Sequence, residues 1–167
     1  KLMLVMMMLV CFGAVAVAGT TDTITLKVTP ITSVSVDILT ITEYNFGDVA
    51  YEGTTENGTA VQVKNDGDCQ ASWEHKTTDA TGGTTWTLTT DSPSTDEYRL
   101  YAEIGESKPG SYSHTVATTD GAITGGSAVG AGVTKNLWFQ LEMPWAVTGA
   151  EGNAQHSATY TVTAEAD

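Results

Sequence analysis

Val61-Gln62-Val63-Lys64-Asn65-Asp66-Gly67-Asp68-Cys69-Gln70-Ala71-Ser72-Trp73-Glu74 is the stretch that decides the fold. Val61 and Val63 alternate with Gln62 and Lys64. Cys69, Ala71 and Trp73 alternate with Gln70, Ser72 and Glu74. A period of two places the apolar side chains on one face of a pleated strand and the polar ones on the other. Between the two runs, Asn65-Asp66-Gly67-Asp68 is turn chemistry, because Asn and Asp bond their own backbone and Gly accepts positive φ. Two alternating strands joined by so short a loop predict a β-hairpin.

Working outward, the same alternation recurs. Ile24, Leu26 and Val28 alternate with Thr23, Thr25 and Lys27, and Val34, Val36 and Ile38 with Ser33, Ser35 and Asp37. Downstream, Trp86 and Leu88 stand among threonines, and Leu100, Ala102 and Ile104 among Arg99, Tyr101 and Glu103. Leu137, Phe139 and Leu141 alternate with Trp138 and Gln140, and Tyr160, Val162 and Ala164 with Thr161, Thr163 and Glu165. One-sided burial of this kind marks antiparallel sheets with one wet face. No segment after residue 18 keeps a helical period over three turns. The fold predicted is therefore all-β, a two-sheet antiparallel sandwich of about eight strands in one domain over residues 19–167. Its expected core is Phe46, Val61, Val63, Trp73, Leu100, Leu137, Phe139, Tyr160 and Val162. Gly121, Gly125, Gly126, Gly130 and Gly132 leave few packing side chains in 117–134, which predicts a long, mobile Gly-rich loop.

The opening differs in kind. Lys1 precedes an unbroken apolar run from Leu2 to Val10, and small residues follow up to Ala18. That pattern predicts a signal peptide over residues 1–18 and a secreted protein, extracellular or at the cell surface. The apolar stretch sits at the bottom edge of the membrane-spanning range, so a retained helix, as in a pilin-like subunit, is the alternative. Lipidation at Cys11 is disfavoured because Val10, and not a small residue, precedes it. All 20 acidic residues follow residue 18, and the net charge is −13. Such a surface repels phosphate, so neither nucleic acid nor an anionic membrane is an expected partner. Threonine, at 29 positions, favours half-buried strands. Cys69 has no second cysteine after the leader to pair with, and its place on the apolar phase predicts a small buried hydrophobe.

Phe46-Gly47-Asp48-Val49, Gly53, and then Val61-Gln62-Val63-Lys64-Asn65-Asp66-Gly67 resemble the F-G-x-V…G…V-x-N-x-G signature of immunoglobulin-like modules. These include the ASH/Hydin-type domains and similar domains of secreted bacterial proteins. Asn136 to Pro144 and the threonine-rich end of the chain are similar to secreted bacterial proteins of the same build. The first match spans about residues 44 to 75 and the second about 133 to 167. The resemblance implies an immunoglobulin-like sandwich in which Phe46 fills the core and Asn65-x-Gly67 makes a turn. It implies no catalytic residue.

A hydrolase needs a nucleophile, a base and an orienting group within mutual reach. His75, His114 and His156 fall in no such motif, and no pair has zinc-ligand spacing, so the protein is read as no enzyme. Asn65, Asp66 and Asp68 put hard oxygens on one turn and are the calcium candidates, although ordinary turn chemistry explains them equally and a bidentate glutamate is missing. Tyr101, Trp138 and Trp145 are candidates for carbohydrate binding, since aromatics on a flat sheet stack on sugar rings; cover by a loop or a neighbouring subunit is the competing reading of Trp138. Asn57-Gly58-Thr59 fits the glycosylation pattern. The function expected is a non-catalytic extracellular structural or adhesive protein, a subunit of a surface layer or filament. The alternative is a module binding cell-surface polysaccharide. Residues 19–28 read as an ordinary first strand that could instead join a neighbour's edge by strand exchange, with Pro30 interrupting the ladder.

Overall fold

A computed structural model of the protein describes residues 25–29, 31–149 and 154–167. The chain divides into two units, residues 1–30 and 31–167. Within the first, residues 25–29 belong to no strand, and Leu26 and Val28 are 86% and 89% exposed. Over these five residues the ordinary first strand does not form. The leader 1–18 and Ile24 lie outside the described residues.

Among the described residues the second unit contains nine strands and no helix: β1 (Val36–Ile38), β2 (Thr54–Glu56), β3 (Val61–Asn65), β4 (Ala71–Thr77), β5 (Thr87–Leu88), β6 (Glu97–Ile104), β7 (Gly121–Ala122), β8 (Thr134–Glu142) and β9 (Tyr160–Ala166). They form two sheets. The larger runs β1-β3-β8-β6-β5 with β2 also on β8, and the smaller runs β7-β4-β9. All pairings are antiparallel except that of β5 with β6, which is parallel. The all-β, two-sheet expectation is met.

The predicted hairpin is not. β3 lies between β1 and β8 in one sheet, and β4 between β7 and β9 in the other. The Asn65–Cys69 turn therefore crosses between sheets. Its chemistry explains why. Asn65 is fully buried, and its Nδ2 donates to the Cys69 carbonyl (2.9 Å) and the Val129 carbonyl (2.8 Å). Its Oδ1 accepts from the Gly67 N–H (3.0 Å). A Cβ on Gly67 would stand 2.4 Å from the Ser33 carbonyl oxygen, so only glycine lets the two backbones approach. Turn residues that seem to close a hairpin instead tie three distant segments together. Cys69, within this turn, is half-buried and not a core residue.

The Gly-rich stretch 117–134 is held along β4. Thr77 donates to the Ala117 carbonyl, β7 pairs with Glu74 and His75, Trp73 donates to Gly126, and Ala71 and Val129 exchange both hydrogen bonds. Ile123 and Val129 are buried. One of its glycines serves close approach: at Gly125, with φ +81°, a Cβ would stand 2.4 Å from the Ile104 carbonyl oxygen. Gly125→Ala adds that clash to a left-handed backbone, and the expected loss is about 1–3 kcal/mol, read as a lower urea midpoint with an unchanged slope.

The inner faces meet in one core. Val61, Val63, Leu100, Ala102, Ile104, Leu137 and Phe139 come from the large sheet, and Ala71 and Trp73 from the small one. Of the expected core, Phe46, Tyr160 and Val162 are only partly buried and pack against this cluster. The Phe139 and Tyr160 rings, one from each sheet, meet edge to face at 4.8 Å. Tyr160 also reaches His75, whose Nδ1 lies 2.8 Å from the phenol oxygen.

Burial, assisted by His114, lowers the pKa of His75 from its ordinary 6.5 to about 4. The unfolded chain therefore takes up this proton first as pH falls. His75 contributes fully to stability above pH 6.5, and that contribution is lost between pH 6.5 and 4, by on the order of 3 kcal/mol. His75→Gln, which keeps a polar partner for Tyr160 but does not titrate, is expected to flatten stability against pH across that window. An unchanged slope in urea titrations from pH 7 to 4 contradicts this.

Candidate functional site

The outer face of the large sheet collects the polar phase of three strands. Register sets Arg99, Tyr101 and Glu103 of β6 opposite Glu142, Gln140 and Trp138 of β8, and β2 flanks β8 with Thr54 and Glu56. The Arg99 Nε donates to Glu142 Oε2 at 2.8 Å, and its guanidinium lies 5.0 Å from the Tyr101 ring centre. Gln140 donates to Glu56 Oε1 (2.9 Å), and Lys108 pairs with Glu56 Oε2 (2.8 Å). The Lys108 hydrogen bond lowers the Glu56 carboxyl pKa despite the opposing effect of burial.

Residues 105–114 fold back on this face. Trp138 Nε1 donates to the Gly105 carbonyl (3.1 Å). Glu103 is buried, and its Oε1 accepts from the Ser113 N–H (2.5 Å), the Ser113 hydroxyl (2.9 Å) and the His114 N–H (3.2 Å). Tyr112 lies against Tyr101 with ring centres 6.4 Å apart, and burial pushes its phenol up to about 12. Tyr101 and Trp138 are therefore half-buried. They do not form an open platform, and the loop-covered reading describes Trp138. Glu103, which anchors the loop, was missed because a carboxylate on the polar phase of a strand reads as a solvated residue.

Trp145 stands apart. It is 66% exposed and borders a depression of about 260 Å³ lined by Glu52, Thr54, Pro93, Glu142 and Met143. The walls are fixed by backbone contacts: the Trp145 N–H donates to Ser94, and the Glu52 N–H to Pro144. Glu52 itself sits at φ +60°, an uncommon conformation for glutamate. An exposed indole can stack on a sugar ring while the neighbouring Glu52 and Glu142 carboxylates and the Thr54 hydroxyl accept hydrogen bonds from the sugar's hydroxyls.

The calcium candidates turn their oxygens to separate partners. Asn65 Oδ1 accepts from Gly67, Asp66 Oδ1 pairs with Lys64 (2.5 Å), and Asp68 Oδ1 accepts from the Ser33 N–H (2.7 Å). Among the described residues no group of three or more His, Cys, Asp or Glu is placed to hold a metal ion.

Asn57 corrects its expected role. It is fully buried, its Nδ2 donates to the Thr59 carbonyl (3.0 Å) and the Leu137 carbonyl (3.3 Å), and its Oδ1 accepts from the Phe139 N–H (2.8 Å). A glycan on that nitrogen has no room in the folded protein. The side chain instead bridges the gap on β8 between β2 and β3, where the register slips by two residues.

The histidines are engaged separately. His75 meets Tyr160, His114 Nδ1 meets the Thr124 hydroxyl (2.7 Å), and His156 stacks on Trp86 at 3.6 Å. The chain matches no protein-family model, no curated protein and no solved structure.

Proposed function

We propose that this is a non-catalytic extracellular protein, a structural or adhesive subunit at the cell surface, built on an immunoglobulin-like sandwich. The observation that carries the reading is how the chemistry-bearing side chains are used. Asn57, Asn65, Asp68, His75, Glu103 and Arg99 each hold one segment to another. Side chains engaged in this way serve a scaffold, and catalysis needs groups converging on a reacting atom. The apolar leader and the acidic, threonine-rich composition support an outside location. Brief protease treatment of intact producing cells, followed by fractionation, tests it. Loss of the protein from cells that keep their cytosolic markers is expected. Protection from protease in intact cells, with release on lysis, refutes the surface role.

The exposure of Trp145 beside its depression favours a second reading, carbohydrate binding. On that reading Trp145→Ala weakens binding to an immobilised polysaccharide about tenfold, the equivalent of 1.4 kcal/mol, whereas Tyr101→Phe leaves it unchanged. Equal retention of wild type and Trp145→Ala on every polysaccharide tried removes this reading.

A further inference from the structure

We propose that the apolar N-terminal segment around Leu26 and Val28 adds as a strand to the free edge of β9 in a second copy of this chain. The inference rests on the structural-subunit reading and supplies its mode of assembly.

The acceptor is the small sheet. Among the described residues β9 pairs with β4 alone, so its other edge presents seven residues of backbone without a strand partner. Such an edge is a template for another strand. Packing is also incomplete there. The inward residues of β4, Ala71, Trp73, His75 and Thr77, are all buried, whereas Tyr160, Val162 and Ala164 on β9 are half-buried. β1 of the large sheet lies beside β9, and its Ile38 is 37% exposed. One more strand outside β9 would cover both.

The donor is in the same sequence. In an extended strand Ile24, Leu26 and Val28 would share one face and Thr25 and Lys27 the other. Residues 25–29 belong to no strand, and Leu26 and Val28 stand almost wholly exposed. The structural-subunit reading makes a second copy the source of the segment that occupies the edge. Charge agrees. Register turns Thr161, Thr163 and Glu165 of β9 outward beside Glu74 and Lys76 of β4, Lys76 is already paired with Asp120, and an inward Leu26 and Val28 put Lys27 on that net acidic side. Backbone hydrogen bonds supply affinity, and the alternate aliphatic side chains supply register. Because donor and acceptor are different surfaces, the contact is head to tail and propagates into a filament.

The test uses the chain as its producing cells release it, compared with the double variant Leu26→Asp/Val28→Asp. Both substitutions fall on positions exposed in the single copy, so the circular dichroism spectrum is expected to match wild type, while the wild type, stabilised by assembly, melts higher as its concentration rises. Light scattering across a concentration series should give wild type a mass of about twice the monomer or more, and the variant the monomer mass. Hydrogen exchange should show the β9 amides protected in wild type and exchanging faster in the variant. Monomers in both, oligomers in both, or β9 exchange that ignores the substitutions each overturn the proposal. Monomeric wild type with protected β9 amides assigns the edge to the chain's own segment and overturns the second copy. Protease accessibility on cells is scored independently: a monomer at the surface refutes assembly alone, and a protein confined inside cells refutes the surface role.

Discussion

Phe139→Ala is expected to lower the free energy of unfolding by about 3–5 kcal/mol, the usual cost of emptying a buried aromatic site. Phe139 is 7% exposed on β8, the central strand of the large sheet, and its ring meets Tyr160 of the other sheet edge to face. The substitution removes core volume and one of the contacts by which the sheets grip each other. It is therefore expected to take a large share of a typical domain's stability of about 5–15 kcal/mol. A double-mutant cycle with Tyr160→Leu isolates the ring contact, for which about 0.5–1.5 kcal/mol of coupling is expected. Urea denaturation followed by tryptophan fluorescence reads both quantities. A loss below about 1 kcal/mol for Phe139→Ala, within the range of ordinary surface changes, refutes the placement of this ring in the core.

Asn65→Ala is the second large effect, about 2–4 kcal/mol, and its cause is polar. Removing the amide strands the Cys69 carbonyl and the Gly67 N–H and takes one of two donors from the Val129 carbonyl, which keeps the Ala71 N–H; each unmet buried group costs about 1–3 kcal/mol unless water reaches it. Asn65→Asp keeps the volume and the acceptor for Gly67 but loses both donors and sets a charge against two carbonyls. It should be at least as damaging as alanine. If Asn65→Asp restores wild-type stability, volume alone matters at this site and the hydrogen bonds assigned to it do not.

Both residues were legible in the sequence, but in different senses. Phe139 lies on the apolar phase of a nine-residue strand, and burial follows from period alone. Asn65 was legible only as a turn former. Its amide reaches Val129, 64 residues away, and no local pattern announces a contact at that separation. Asn57 is the same case, a surface motif by spacing and a buried bridge on β8 in the fold. The glycines of 117–134 likewise signal mobility by composition. In the fold the stretch is hydrogen-bonded along β4, and the missing side chain of Gly125 lets its backbone lie against Ile104. For the site, Trp145 was named from its aromatic character, whereas its depression is assembled from residues 52, 54, 93, 142 and 143 and exists only once they converge.

The sequence by itself determined the class of the fold and, within the longer strands, most of the side chains that face inward, because alternation along a strand is a property of one pleated segment. Only the tertiary structure decided which strands are neighbours, that β3 and β4 part into different sheets, that Tyr101 and Trp138 are half-covered, and that among the described residues β9 pairs on one edge alone. Pairing joins backbone groups that are alike in every residue, so its choice rests on how whole faces pack and which buried amides are satisfied. Those conditions hold between segments distant in the chain, and they have no local spelling.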